Sequence, residues 1–169
     1  RWEAEPKVGE QGITDWFHTR LRQMERFFDL LRIDHMAGWF RVWQIPAHAV
    51  NANMGHFAPA LPLSEEEIAQ YGMPFRKQLF TRPFINDGVI AKFFGLHADY
   101  VRQEFLDRLP YGFYALKERA DTQVKVRNLF GGKNDENSLW IRDGLYRLLA
   151  NVLFVEDEEH RGMYHPRIL

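Results

Sequence analysis

The chain has 169 residues, with 22 Lys and Arg against 23 Asp and Glu and a formal net charge of −1. This length suits one domain, but it falls short of the roughly 200 residues at which complete (β/α)8 barrels begin. The near-neutral charge gives no electrostatic footprint for nucleic acid or an anionic membrane, and the absence of cysteine excludes disulfides and thiolate metal sites.

An amphipathic helix is the first predicted element after a polar entry segment, residues 1–12. Thr14 is a suitable N-cap. Apolar residues at helical spacing then form one core-facing stripe: Phe17, Leu21, Met24, Phe28 and Leu31. The apolar run that follows fits a short strand from near Leu30 to Asp34, although short runs of this kind are ambiguous. A helix followed by a strand is a unit of α/β layer folds.

The chain after about residue 50 is predicted to be helical, with little strand. Residues 51–63 have the composition of an irregular loop. Ser64 and Glu67 then have the spacing of a capping box, with Gly72 as the helix stop. Three longer helices are predicted over residues 99–109, 116–130 and 138–154, ended in the first two cases by Pro110 and by Gly131-Gly132.

Several functional motifs are absent or incomplete. The seven histidines form no H-E-x-x-H motif, and no G-x-S-x-G elbow is present. The run Gly131-Gly132-Lys133-Asn134 lacks the upstream glycine and the Ser or Thr of a phosphate loop, so we interpret it as a helix stop. The acidic run at residues 156–159 is typical of a solvated face.

The segment Arg32-Ile33-Asp34-His35 is the motif with chemical content. On a strand, Arg32 and Asp34 would point to the same face, and a guanidinium beside a carboxylate favours its ionised form. An ionised Asp at the end of a parallel strand is where barrel enzymes place catalytic groups, and it suits the nucleophile of a retaining glycosidase. An ordinary Arg–Asp pair at a strand end fits the same spacing.

The sequence from Arg32 to Pro46, RIDHMAGWFRVWQIP, resembles the nucleophile region of the 4-α-glucanotransferases of glycoside hydrolase family 77. That pattern is close to R-I-D-H-x-x-G-F followed by W-x-I/V-P, with Trp39 here where Phe is common. Residues 20–24, 121–125 and 164–168 are similar to the plant-cytosolic and bacteroidete-like branch, which carries a long insertion after the nucleophile strand. The resemblance implies an α/β fold. We expect residues 1–50 to be one helix–strand unit of a (β/α)8 TIM-barrel glycosidase and residues 51–169 to be a mostly α-helical insertion.

The resemblance also implies roles for four residues. Asp34 matches the family's catalytic nucleophile, and Arg32 matches the arginine that orients it and contacts the sugar. His35 matches a motif histidine expected to contact substrate. Trp43 would stack on a glucose ring or serve in core packing. The implied substrates are an α-1,4-glucan, maltose or malto-oligosaccharides, with no metal and no organic cofactor.

The family's remaining catalytic carboxylates are missing from the chain. Its acid/base is a Glu in an E-D-L-G context and its third carboxylate is an Asp in an H-D context, and neither pattern occurs here. Glu156-Asp157 lacks the following Leu-Gly. Because the sequence also starts at Arg1 rather than Met, we expect a processed protein or an internal fragment that is inactive alone.

Two alternatives from other classes remain open. One is a non-catalytic helical module for glucan binding or protein interaction, and the other is a metal-dependent hydrolase built on Asp34 and His35. No apolar run approaches the roughly 18–20 residues of a membrane span, and no signal-peptide layout is present. With the lack of cysteine, this favours a cytoplasmic protein with neither membrane nor nucleic acid as a partner.

Overall fold

The structure is a computed structural model, which describes residues 10–32, 34, 40–157 and 160–167. Contacts between Cα atoms divide the chain into two compact units, residues 1–39 and residues 40–169. Among the described residues, no helix is long and apolar enough to cross a membrane.

The first unit is built on α1, Glu10–Glu25. The predicted helix is confirmed, but the N-cap assigned to Thr14 is wrong, because the helix begins four residues earlier and Thr14 lies within it. Residues 10 and 11 are a glutamate and a glutamine, which have high helix propensity, so the helix extends over them. The helix ends before Phe28 and Leu31, and the last two positions of the predicted stripe lie beyond it.

The predicted strand at residues 30–34 is wrong for the residues that the structure describes. Leu30, Leu31, Arg32 and Asp34 have no regular secondary structure. A β-strand needs the hydrogen bonds of a neighbour, and none of the strand pairings in the described parts of the chain involves this segment. Leu30 is 87% exposed, as expected for an apolar residue outside a sheet.

Among its described residues, the second unit has four longer helices that share the larger apolar core. These are α4 (Asp87–Phe94), α5 (Ala98–Phe105), α6 (Gln123–Leu129) and α7 (Glu136–Ala150). Their buried faces include Ile90, Phe94, Val101, Val126, Leu145 and Leu148, each with 1% or less of its surface exposed. One face of α7 is therefore part of this core. Gly144 lies where a Cβ would collide with the Phe94 ring, so α4 and α7 approach closely at this residue.

Helix ends differ from the predicted ends because polar caps override the apolar pattern. Thr122 caps the first turn of α6 by accepting from the Lys125 amide, so this helix starts at Gln123 rather than near residue 116. Asp135 caps α7, which ends at Ala150 rather than at residue 154. The helix predicted over 99–109 gives way to a strand after Phe105.

Helix α4 was not predicted, although the sequence contains a suitable N-cap residue, Asn86, directly before it. The Asn86 side chain accepts a hydrogen bond from the Val89 amide at 2.9 Å, and Asp87 follows in the first turn. A short helix, α3 (Lys77–Phe80), precedes it. The capping box at α2 (Glu65–Gln70) is confirmed: Ser64 accepts from the Glu67 amide, and the Glu67 carboxylate accepts from the Ser64 amide.

In the described ranges, seven short strands form three antiparallel sheets, and six of the strands follow residue 50, where little strand was expected. Strand β1 (Val42–Gln44) pairs with β2 (His56–Ala58), with Trp43 opposite Phe57. Strand β7 (Met163–Pro166) lies between β3 (Leu63–Ser64) and β6 (Phe154–Glu156). Strand β4 (Leu106–Arg108) forms a hairpin with β5 (Tyr114–Leu116). Each strand has two to four residues, which is too short for a clear alternating pattern.

A second, smaller core lies under the β3-β7-β6 sheet. Ile68, Phe154 and Tyr164 are buried there, with Phe75 and Phe80 packed against them. The Tyr164 hydroxyl donates to Glu65 at 3.1 Å. Burial, followed by this hydrogen bond, raises the pKa of Tyr164.

Candidate active-site segment

The Arg32–Asp34 pair predicted from the motif is present in the structure. The Arg32 Nε donates to Asp34 Oδ1 at 3.2 Å, and Nη2 lies 3.2 Å from the same oxygen. The two side chains are 85% and 81% exposed. The contact therefore forms without the predicted strand, and it leaves the Asp34 carboxylate open to an approaching group.

A groove of about 440 Å³ lies along the C-terminal half of α1 in the same unit. Its apolar lining includes four residues of the predicted stripe, Leu21, Met24, Phe28 and Leu31. Its polar lining consists of His18, Arg22, Glu25 and Asp29, which no motif in the sequence groups together. The stripe thus faces a groove, and Met24, Phe28 and Leu31 stay substantially exposed within this unit.

His35 lies outside the described residues, so its predicted substrate contact stays a prediction. The alternative of a metal site at Asp34 and His35 is likewise untested. Elsewhere, within the ranges that the structure describes, no group of three or more metal-ligating side chains lies together.

Trp43 lies in β1, and its ring is held by three neighbours. The indole Nε1 donates to the Ala52 carbonyl at 2.8 Å. The Phe57 ring packs edge-on against the indole with a centroid distance of 4.9 Å. Gly55 lies so close that a Cβ there would collide with the indole. Trp43 remains 37% exposed, and since its only polar atom is already bonded, what it can offer to a ligand is its apolar ring.

The acidic run at residues 156–159 is not simply a solvated face, which corrects the interpretation of its described part. Glu156 pairs with Lys77 at 2.8 Å and accepts from the Gly162 amide at 3.1 Å. Asp157 lies 2.7 Å from His165 Nε2 and also accepts from the His160 amide. These carboxylates organise the β6–β7 turn. A charge pattern does not reveal these contacts, because two of the partners are backbone amides and Lys77 is 79 residues away in sequence.

Comparison with known proteins decides the family. The sequence profile of glycoside hydrolase family 77, described as 4-alpha-glucanotransferase, matches residues 5–150. The chain belongs to this family. It is 33% identical over 158 residues to the 4-alpha-glucanotransferase DPE2 of Oryza sativa subsp. japonica, a match that covers 90% of the chain. It is also 38% identical over 56 residues to a 4-alpha-glucanotransferase of Streptococcus pneumoniae, which covers 33% of the chain.

The family resemblance drawn from the nucleophile motif is therefore confirmed. The chain spans 16% of the length of the rice relative and 10% of the length of the streptococcal one. No solved structure matches the chain significantly. The mixed helices and small sheets of this family 77 chain agree with an α/β class.

Proposed function

We propose that the chain provides the nucleophile segment of a retaining 4-α-glucanotransferase. Asp34 is the nucleophile, Arg32 orients it, and His35 and Trp43 contact an α-1,4-glucan. The observation that supports this most is the Arg32–Asp34 contact, formed within a chain whose family is that of 4-alpha-glucanotransferases. Maltose or malto-oligosaccharides are the proposed donors, and a glucan or free sugar is the acceptor.

The proposed reaction has two displacement steps. Asp34 attacks the anomeric carbon of an α-1,4-linked glucose, and the bond from that carbon to the leaving oxygen breaks as a general acid protonates the oxygen. The product is a glycosyl ester on Asp34. An acceptor hydroxyl then attacks the same carbon, loses its proton to the former acid, and frees the Asp34 carboxylate. Arg32 keeps the carboxylate aimed by its charge-assisted contact.

The acid/base is a second carboxyl group, which a retaining site places roughly 5–5.5 Å from the nucleophile. We propose that it lies in a longer chain, that residues 1–50 belong to the catalytic barrel and that residues 51–169 form the inserted region. The exposure of Phe27, Phe28 and Leu30 supports this, since a cluster of large apolar residues is normally covered. The 169-residue chain alone is then inactive, and its cytoplasmic location stays a prediction.

The test is Asp34→Asn in the full-length gene product, assayed by the disproportionation of maltotriose. We expect the rate to fall by roughly four orders of magnitude, because the covalent step is lost. Asp29→Asn is the matched control, since it removes a nearby acid that has no role in the proposal. Mass spectrometry after reaction with a slow glycosyl fluoride would locate the glycosyl ester on the Asp34 peptide. Full activity of Asp34→Asn would favour the non-catalytic helical module instead.

A further inference from the structure

The position of the Trp43 ring depends on the loop between β1 and β2, residues 45–55. This loop supplies the Ala52 carbonyl that accepts from Nε1 and the bare backbone of Gly55 beneath the indole. Residues 52–54 form a single 3-10 turn, which has few hydrogen bonds of its own. Whatever holds the loop therefore also sets the orientation of the Trp43 ring.

Gln123, the first residue of α6, holds the middle of the loop. Its Oε1 accepts from the Val50 and Asn51 amides, both at 2.8 Å, and its Nε2 donates to the Tyr146 carbonyl at 3.3 Å. Only 1% of Gln123 is exposed. A buried amide that makes three hydrogen bonds has little freedom to rotate, so it ties the loop to the helical core. The Val124 amide adds a hydrogen bond to the His48 carbonyl at 3.2 Å.

Arg167, directly after β7, holds the C-terminal part of the loop. Its Nη2 donates to the Asn53 carbonyl at 2.6 Å, and its Nη1 lies 3.2 Å from the Met54 sulfur. The preceding strand reinforces this contact, because the His165 ring stacks on His56 of β2 with a centroid distance of 5.9 Å. The loop is thus bound at residues 50–51 by α6 and at residues 53–54 by the segment after β7.

We propose that Gln123 and Arg167 are positioning residues that fix the β1–β2 loop and thereby hold the Trp43 ring in one orientation for a glucose unit. Gln123 lies in segment 121–125 and Arg167 in segment 164–168, two of the segments in which the family resemblance was noted. Neither residue has a part in the proposed covalent chemistry. Gln123 lies 73 positions after Val50 in the sequence, and Arg167 lies 114 positions after Asn53, yet both side chains contact the same loop. The claim that Trp43 contacts glucose rests on the proposed function, whereas the claim that Gln123 and Arg167 fix the Trp43 ring does not.

The test measures hydrogen exchange of the Trp43 indole N–H in the full-length gene product by 15N NMR, with the signal assigned from Trp43→Phe. Gln123→Met keeps a similar volume but removes all three hydrogen bonds, and Arg167→Met removes the contacts to residues 53–54. We expect the indole N–H to exchange at least tenfold faster in either variant. Titration with maltoheptaose should show binding weakened about fivefold or more.

Three controls separate the positioning role of Gln123 and Arg167 from a role limited to stability. The Leu145 backbone amide reports opening of the core, so the indole N–H must accelerate more than this amide does. Two variants should leave the ratio of the indole exchange rate to the Leu145 amide exchange rate unchanged. Val126→Ala is a buried change on the same helix as Gln123, and Arg119→Met removes the contacts of an arginine with Glu104. If Gln123→Met fails to fold, Arg167→Met carries the test, since Arg167 is only half-buried.

Two results show separately whether the positioning role or the glucose contact of Trp43 fails. Indole exchange that rises only in step with the Leu145 amide overturns the positioning role. Selective acceleration combined with an unchanged maltoheptaose affinity of the full-length variants supports the positioning role and counts against Trp43 as a glucose contact.

Discussion

The Arg32 guanidinium contacts the Asp34 carboxylate through two nitrogens, Nε and Nη2, each 3.2 Å from Oδ1. Both bonds meet the same carboxylate oxygen, so the pair has a defined geometry that a point charge would not reproduce. Because both side chains are largely exposed, the contact adds little to stability. In the proposed function its role is to aim the carboxylate.

Arg32→Lys in the full-length protein tests this aiming. A lysine keeps the charge but loses the planar fork, so we expect kcat/KM for maltotriose to fall by about tenfold to a hundredfold. The thermal stability should change little, since the pair is exposed. Arg26→Lys in the preceding turn is the control, and an Arg32→Lys enzyme as active as the wild type would remove Arg32 from the mechanism.

Local signals in the sequence predicted the features that depend on neighbouring residues. The capping box of Ser64 and Glu67, the helix stop at Gly131-Gly132 and the Arg32–Asp34 contact each involve residues at most three apart, and all are present. The Asn86 cap is equally local, although no helix is predicted at this position.

Structural features that depend on residues far apart in the sequence could not be predicted from local sequence patterns. Gln123 looks like one polar residue within a helix, yet it is buried because amides at residues 50 and 51 bind it. Asp157 looks like part of a charged surface until His165 is brought beside it by the pairing of β6 with β7. The strand expected at residues 30–34 failed for the same reason, since strand formation depends on a partner elsewhere.

The capping box at α2 gives a stability prediction. Ser64→Ala removes the side-chain oxygen that accepts from the Glu67 amide at 3.2 Å, so the free energy of unfolding should fall by about 1 kcal/mol. Ser64→Thr retains the oxygen and should lose much less. Urea unfolding of the three proteins measures the difference, and equal midpoints for all three would mean that the cap contributes nothing.

Two glycines with opposite surroundings give a paired prediction. Gly144→Ala drives a Cβ into the buried Phe94 ring, so unfolding should become easier by roughly 1–3 kcal/mol. Gly88→Ala on α4 meets only the Asn86 Oδ1, at an ordinary contact distance of 3.4 Å, so stability should rise by roughly 0.5–1 kcal/mol. A urea midpoint that does not fall in Gly144→Ala would contradict the close approach of α4 and α7 at Gly144, and Gly88→Ala is the control for a glycine-to-alanine change without a collision.

The ion pair between Lys77 of α3 and Glu156 of β6 predicts a pH dependence of stability. The hydrogen bond from Lys77, followed by that from the Gly162 amide, holds the pKa of Glu156 below its usual value. The same hydrogen bond to Glu156 raises the pKa of Lys77. Glu156 therefore contributes stability above its unfolded pKa of about 4.3, and the contribution is lost as pH falls through the lowered folded value.

Lys77 has the opposite sign. Its contribution is complete below the unfolded pKa of about 10.4 and is lost as pH rises through the raised folded value. The free energy of unfolding of the wild type minus that of Lys77→Met should therefore be largest between about pH 5 and 10 and shrink towards both extremes. Because both side chains are substantially exposed, 1 M salt should reduce the difference, and a difference independent of pH would show that Lys77 acts only through packing on the Tyr164 ring.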